Sequence, residues 1–189
     1  MMQCLYATPV YSNFCRDHQV LNYHIDRVID KVKFSYKPDW GRTHLLSTNF
    51  SHNNIVKELK LNKLIKEIDY HLKLYCSDLG VNCKKYKLES WFSKFKPGDY
   101  AQIHNHGHVD ISGVYYYKTN GNDGDFFFES PNPHLSTNYI FEHLGRRWEC
   151  KPESGRMLLF PGWLNHGVKT NETKDERISL SFNIYFPRT

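Results

Sequence analysis

The chain has 189 residues, a formal net charge of +5 and a sequence pI near 8.8, which is room for one domain with a full core. Its basic residues are scattered, with only the short group Lys84-Lys85-Tyr86-Lys87, so the charge permits a nucleic-acid partner without arguing for one. Five cysteines in odd number, widely spaced and without a CxxC, exclude a disulfide framework, and no signal or membrane-spanning stretch is visible, so a soluble cytoplasmic protein of a reducing compartment is expected.

Aromatic residues are frequent, with Tyr 13, Phe 12 and Trp 4, which favours strands, because a pleated surface accommodates large rings. Leu5 to Tyr11 alternates as an edge strand does, with Pro9 restricting its pairing. Over Asp17 to Phe34, Val20, Leu21, Ile25, Val28, Ile29 and Val32 fall at helical steps. Lys37 to Asn49 reads as polar and turn-rich. A second helix runs from a cap at Ser51 or Asn54 to Gly80, with Ile55, Leu59, Leu64, Ile65, Ile68 and Leu72 as its apolar stripe. His18, His24, His44, His52 and His71 read as surface or stripe-edge residues.

From Val81 the pattern changes to short strands separated by turns. They cover Tyr86 to Phe95, Tyr100 to His106, Ile111 to Lys118, Asp125 to Phe128, Trp148 to Lys151, Met157 to Phe160, His166 to Lys169 and Ile178 to Phe186. Such a series without intervening helices points to a sandwich or barrel. The predicted organisation is one domain over 1–189, with an N-terminal strand and supporting helices in 1–80 and a β core in 81–189.

On an extended strand Gln102, His104 and His106 share a face. Two imidazoles so placed are half of a metal site. His166, after the Pro161-Gly162 turn, is the candidate third ligand from a distant strand. Asp110, at the start of the next run, is the nearest carboxylate.

The ordered set His104-x-His106, Ser112-Gly-Val-Tyr-Tyr116, Gly124-Asp-Phe-Phe-Phe128, Leu159-Phe-Pro-Gly-Trp-Leu-Asn-His166 and Glu176-Arg-Ile-Ser-Leu-Ser-Phe-Asn183 resembles the Fe(II)- and 2-oxoglutarate-dependent oxygenase superfamily. Within it, the chain is similar to a branch common in marine bacteria and their phages. The resemblance covers roughly residues 86–187. It implies a mainly β fold, a double-stranded β-helix or cupin-like jelly roll with the N-terminal helices packed on the sheet. It also implies Fe(II) as cofactor, 2-oxoglutarate and dioxygen as cosubstrates, and hydroxylation of a C–H bond in a prime substrate that is a small molecule, a protein side chain or a nucleic acid. His104, His106 and His166 then bind metal, Arg177 pairs with the distal carboxylate of 2-oxoglutarate, and Ser179, Tyr116 and Gln102 contact the same cosubstrate. Such jelly rolls often form homodimers.

Most members of that superfamily carry a carboxylate where this chain has His106. Three readings follow: an all-histidine triad, which is preferred; Asp110 as third ligand with His106 behind it; or His108-Val109-Asp110 as the His-x-Asp motif. Trp91, Phe95, Phe127 and Trp163 are candidate pocket walls, and Ser130 to Gly145 a candidate lid. The rival classes are a cupin-like metal-binding protein or three-histidine dioxygenase that does not use 2-oxoglutarate, and a structural or interaction protein whose histidines are incidental. Neither rival needs Arg177-x-Ser179.

Overall fold

The computed structural model describes residues 7–47, 54–137, 139–144 and 147–187. Strand β1 (Tyr11–Phe14) leads into helix α1 (His18–Ile29), followed by β2 (Ser35–Tyr36) and β3 (Leu45–Ser47). Helices α2 (Ile55–Glu58) and α3 (Asn62–Asp78) come next. The second half contributes β4 (Lys87–Phe95), β5 (Ala101–His104), β6 (Ile111–Lys118), β7 (Phe126–Phe128), β8 (Trp148–Cys150), β9 (Arg156–Pro161), β10 (His166–Val168) and β11 (Arg177–Tyr185).

Among the described residues these strands make two sheets, β1-β9-β6-β11-β4-β3-β2 and β5-β10-β7-β8. Every pairing between them is antiparallel, as in β4 with β11 and β10 with β5. This is the jelly roll the motifs imply. Side-chain alternation along the large sheet divides the interior in two. Tyr115, Tyr117, Met157, Leu159, Leu180, Phe182 and Ile184 face α1 and α3 in one apolar cluster. Val114, Tyr116, Leu158 and Phe160 face the small sheet, where Ala101, Phe126, Phe128 and Val168 meet them.

Several boundaries differ from the sequence reading, each for a local reason. The first strand begins at Tyr11 and pairs with β9 through Phe14; Pro9 has no N–H to give a ladder, and residues 5 and 6 lie outside the described set. Helix α1 stops at Ile29, and Val32 and Phe34 pack on the core without being helical. Val20 is solvent-exposed, so the buried stripe of α1 narrows to Leu21 and Ile25. The long second helix is two helices. Lys60 has φ 54°, and the Leu61 amide reaches back to the Val56 carbonyl, which re-aims α3. Asn54 caps α2 by accepting from the Lys57 amide; Ser51 is outside the described residues. Lys37 to Asn49 is not all turn: Leu45–Ser47 is a buried strand against β4, too short to show a period in sequence. Among the described residues no helix is long and apolar enough to cross a membrane.

Gly113 in β6 has a packing reason. A Cβ there would sit 2.4 Å from Phe182 Cζ and 2.8 Å from Leu159 Cδ2. Gly113→Ala is expected to destabilise the fold by about 1–3 kcal/mol through overpacking, measured as a lower denaturant midpoint with an unchanged slope.

Candidate metal centre

Three imidazoles converge at one end of the small sheet. His166 opens β10 directly opposite His104, the last residue of β5. Their ring centres are 4.3 Å apart, and His106 lies 5.1 Å from His166 and 5.3 Å from His104. One ring nitrogen from each of the three lies within 4.8 Å of the others, close enough to share an ion. His106 is past the end of β5, so alternation along the strand does not place it. Its amide donates to the Gly162 carbonyl at 2.8 Å, and the Gly162 amide donates to the Asp110 carbonyl at 3.3 Å. A Cβ at Gly162 would lie 2.2 Å from the Val109 carbonyl oxygen, so only glycine allows these two loops to meet. The Asn105 side-chain amide also donates to Asn165 Oδ1 at 2.8 Å.

Each ring is held by its other nitrogen. His104 Nδ1 is 2.8 Å from the Gln102 carbonyl, and His166 Nδ1 is 2.8 Å from the Leu164 carbonyl. A carbonyl only accepts, so both Nδ1 atoms carry the proton and both Nε2 lone pairs are free. His106 Nδ1 is 2.7 Å from Asn183 Oδ1, which also accepts from the Ser112 hydroxyl. Three bare Nε2 atoms are a donor set suited to a divalent transition metal. Burial keeps them neutral. It pushes His104 down to about 4, with the neighbouring His106 adding to the effect. It lowers His106, and it lowers His166 further still, where His104 and His106 assist. Phe126 stacks on the His166 ring and Phe160 meets it edge-on.

The triad opens on a cavity of about 450 Å³ between the sheets. Arg177, Ser179, Ser181, Asn183 and Tyr185 line it from alternate positions of β11, and Trp91, Ser93 and Phe95 from alternate positions of β4. Arg177 is 1% exposed. Its guanidinium lies 5.1 Å from the Phe95 ring centre and 5.0 Å from that of Tyr116, and Nη1 donates to the Gly124 carbonyl at 2.6 Å. Nε has no partner, and neither does the hydroxyl of fully buried Tyr116. Burial raises the Tyr116 pKa, against the pull of Arg177, so that hydroxyl remains a donor. Two orphaned buried donors beside a buried cation are costly unless an anion completes them. No carboxylate is among the described residues lining the cavity. The arrangement fits an iron ion with a dicarboxylic keto acid beside it.

Among the other residues singled out in the sequence, Ser179 lines the cavity with Arg177. Gln102 does not, although simple alternation would put it on the face of His104: burial along β5 does not alternate, Gln102 and Ile103 both being exposed, and the Gln102 side chain lines a neighbouring surface depression, so only its carbonyl serves the site. Asp110 is turned away, its carboxylate accepting from the Phe186 amide at 2.8 Å. His108 lines the cavity near Tyr185 rather than joining the triad. Trp91 and Phe95 wall the cavity; Phe127 lies under Arg147 and Trp163 is half-exposed, both outside it. The described part of 130–145 contains two short 3-10 turns, Pro133–Thr137 and Glu142–Leu144, and none of it lines the cavity. Four residues that line the cavity, Lys37, Trp40, His44 and Leu46, come from the segment read as a polar turn. His44 is buried, not superficial; it stacks on Phe95 and is pushed down to about 4, chiefly by burial. Asn183 was legible only as the polar member ending the alternation Arg177, Ser179, Ser181.

Residues 89–183, half of the chain, match the family described as Putative 2OG-Fe(II) oxygenase. No curated protein matches the sequence. Among solved structures, the fold is similar to a Pseudomonas putida prolyl-4-hydroxylase, at 13% identity and TM-score 0.67, with 97% of this chain and 95% of that chain covered. It is similar to SnoN, the non-heme alpha ketoglutarate dependent epimerase from nogalamycin biosynthesis, at 10% identity and TM-score 0.67, covering 94% of this chain and 78% of that one. It is also similar to HygX from Streptomyces hygroscopicus, solved with nickel, 2-oxoglutarate and hygromycin B bound, at 10% identity and TM-score 0.66, covering 94% and 82%. At such identities the likeness is one of fold.

Two outcomes follow from the hydrogen-bonded triad. Asn183→Leu removes the acceptor that orients His106 and is expected to weaken metal affinity by about 10- to 100-fold, measured by competition with a chromogenic chelator. Histidines with lowered pKa values are already neutral at neutral pH. Metal binding at pH 7 is therefore expected to release almost no protons, whereas three ordinary imidazoles would release roughly 0.7 proton together. Calorimetry in buffers of different ionisation heat measures the difference. By the same sign, affinity persists as pH falls through the ordinary histidine range and is lost only on approaching the lowered pKa values.

Proposed function

Because the chain belongs to the 2OG-Fe(II) oxygenase family, with iron and 2-oxoglutarate as its cofactor and cosubstrate, we propose that it hydroxylates a C–H bond of a prime substrate in the cavity beside the histidine triad. His104, His106 and His166 hold the metal through Nε2. Arg177 binds the distal carboxylate of 2-oxoglutarate, with the Tyr116 hydroxyl as a second donor and Ser179 as a third. The observation that carries this reading is the Arg177 guanidinium: fully buried, lining the same cavity as the three imidazoles, and with Nε unpartnered.

When bound, Fe(II) with 2-oxoglutarate would supply the activation of dioxygen, with the keto acid converted to succinate and carbon dioxide, chemistry the protein side chains do not provide. The protein's contribution is binding, orientation and exclusion of water. Arg177 presents a planar fork, and β11 is paired on both sides, with β4 and β6, so the fork is aimed before the anion arrives. Its position between two aromatic rings keeps water from competing. Backbone carbonyls and Asn183 keep the three imidazoles in one tautomer, so no proton has to move before metal binds. An all-imidazole set adds no negative charge to the metal, and the dianionic cosubstrate balances it. Trp40 lies against His104, with ring centres 4.5 Å apart, and Trp91 lies 6.0 Å from His106. These rings shield the metal side of the cavity, which Lys37 also lines.

Anaerobic titration with Fe(II) and 2-oxoglutarate is expected to give a weak metal-to-ligand charge-transfer band that needs both. Arg177→Ala is expected to raise the 2-oxoglutarate concentration for half-maximal band about 30-fold or more, the cost of removing one partner from a buried charged pair. Metal affinity should be retained, which controls for folding. Succinate release without prime substrate should fall in parallel; equal turnover by wild type and variant would remove Arg177 from this role.

A further inference from the structure

On the opposite face of the large sheet, away from the cavity, lies a second group of metal-competent side chains. Cys15, Glu67 and His71 are all buried, at 4%, 8% and 1% exposure, and one ligand atom from each lies within 4.8 Å of the others. Glu67 and His71 are one turn apart on α3, so they share a helix face. Cys15 follows β1, where its amide donates to the Gly155 carbonyl at 2.8 Å.

Each group is already held in place by something other than its neighbours in the triad. Glu67 Oε1 accepts from Arg16 Nη2 at 2.7 Å and from Nε at 3.1 Å, and Oε2 accepts from the Arg16 amide at 3.2 Å. His71 Nδ1 lies 2.8 Å from the Tyr11 hydroxyl. His71 Nε2 is buried without a hydrogen-bond partner, and it faces Glu67 Oε2 at 3.6 Å, too far for a hydrogen bond. A buried imidazole nitrogen is seldom left this way. In the tautomer a metal would require, Nδ1–H donates to the Tyr11 hydroxyl and the Nε2 lone pair faces the carboxylate and the thiol.

We propose that Cys15, Glu67 and His71 form a second, structural metal site for a borderline divalent cation of the zinc class. A thiolate, an imidazole and a carboxylate are zinc's ligand types, and the ion's short bonds would draw the three atoms in from their present spacing. Binding replaces the Cys15 thiol proton, which goes to solvent. The cation, the thiolate and the Glu67 carboxylate then balance in charge, with Arg16 still paired on the far side of the carboxylate. The ion would tie the end of β1, an edge strand, to α3, and so fasten the helical layer to the large sheet. The iron triad, which contains no sulfur, is chemically distinct from it.

Cobalt(II) alone is the probe, added anaerobically to the metal-stripped full chain. Wild type is expected to take a second equivalent that brings a thiolate-to-cobalt charge-transfer band in the near ultraviolet. Cys15→Ser and His71→Asn should each lose that band and that equivalent, while keeping the first equivalent at the histidine triad. Zinc should abolish the band competitively and raise the thermal midpoint of wild type by several degrees more than that of Cys15→Ser. Absence of a thiolate band in wild type at saturating cobalt, or its persistence in both variants, overturns the site. Retention of the first equivalent separates that result from any failure of the oxygenase reading.

Discussion

A guanidinium removed from water without a carboxylate to meet it is the constraint around which this structure is arranged. Arg177 is 1% exposed and is given one carbonyl and two ring faces. Those contacts soften the desolvation of a full charge but do not cancel it. The neighbouring Tyr116 hydroxyl is likewise unsatisfied. Folding therefore leaves the inside of the sandwich electrically incomplete in one place, and an anion is the simplest completion. The strand carrying Arg177 is central in its sheet, which gives the fork rigidity. The Gly124 carbonyl that anchors it sits on a residue at φ 101°, packed so closely on Lys169 that a Cβ would lie 2.3 Å from a backbone oxygen.

The metal end of the cavity obeys a complementary rule. Burial makes protonated imidazoles costly, so the rings stay neutral, and fixed acceptors on Nδ1 decide which nitrogen is bare. Neutral rings at one end and an uncompensated cation at the other give the cavity a direction, which the proposed function reads as metal beside the histidines and carboxylate beside the arginine. The cost of bringing strands from distant parts of the chain to this point is met by the aromatic packing behind them. Phe126, Phe160 and Phe128 surround His166, and Phe95 supports both Arg177 and His44.

Much of the β half was legible because turn chemistry and alternation are local. Pro161-Gly162 marked the corner before His166, and the strand over Ile111 to Lys118 has the bounds the pattern suggested. The alternation Arg177, Ser179, Ser181, Asn183 was visible too, although only its first two members were read as functional. The helical half was less legible. Apolar residues continued at helical spacing across Lys60, so nothing in the period announced that this residue would turn left-handed and divide the helix. The segment from Lys37 to Ser47 looked polar, yet it brings Lys37, Trp40 and His44 to the cavity and adds a strand to the large sheet.

The sequence by itself determined a sandwich or barrel of short strands and a pair of histidines one pleat apart, because turns and alternation are encoded over a few residues; the jelly roll and the pairing of Arg177 with Ser179 followed from the resemblance of the ordered motifs to the oxygenase superfamily. Only the tertiary structure decided that Asp110 is tied to the Phe186 amide, that Gln102 leaves the sandwich, and that Asn183 orients His106. Only it brought Cys15 beside Glu67 and His71. The hydrogen bonds behind them, Arg16 to Glu67, His106 to Asn183 and Phe186 to Asp110, span 51 to 77 positions of chain. Hydrogen bonding at that range is settled by packing, not by local pattern.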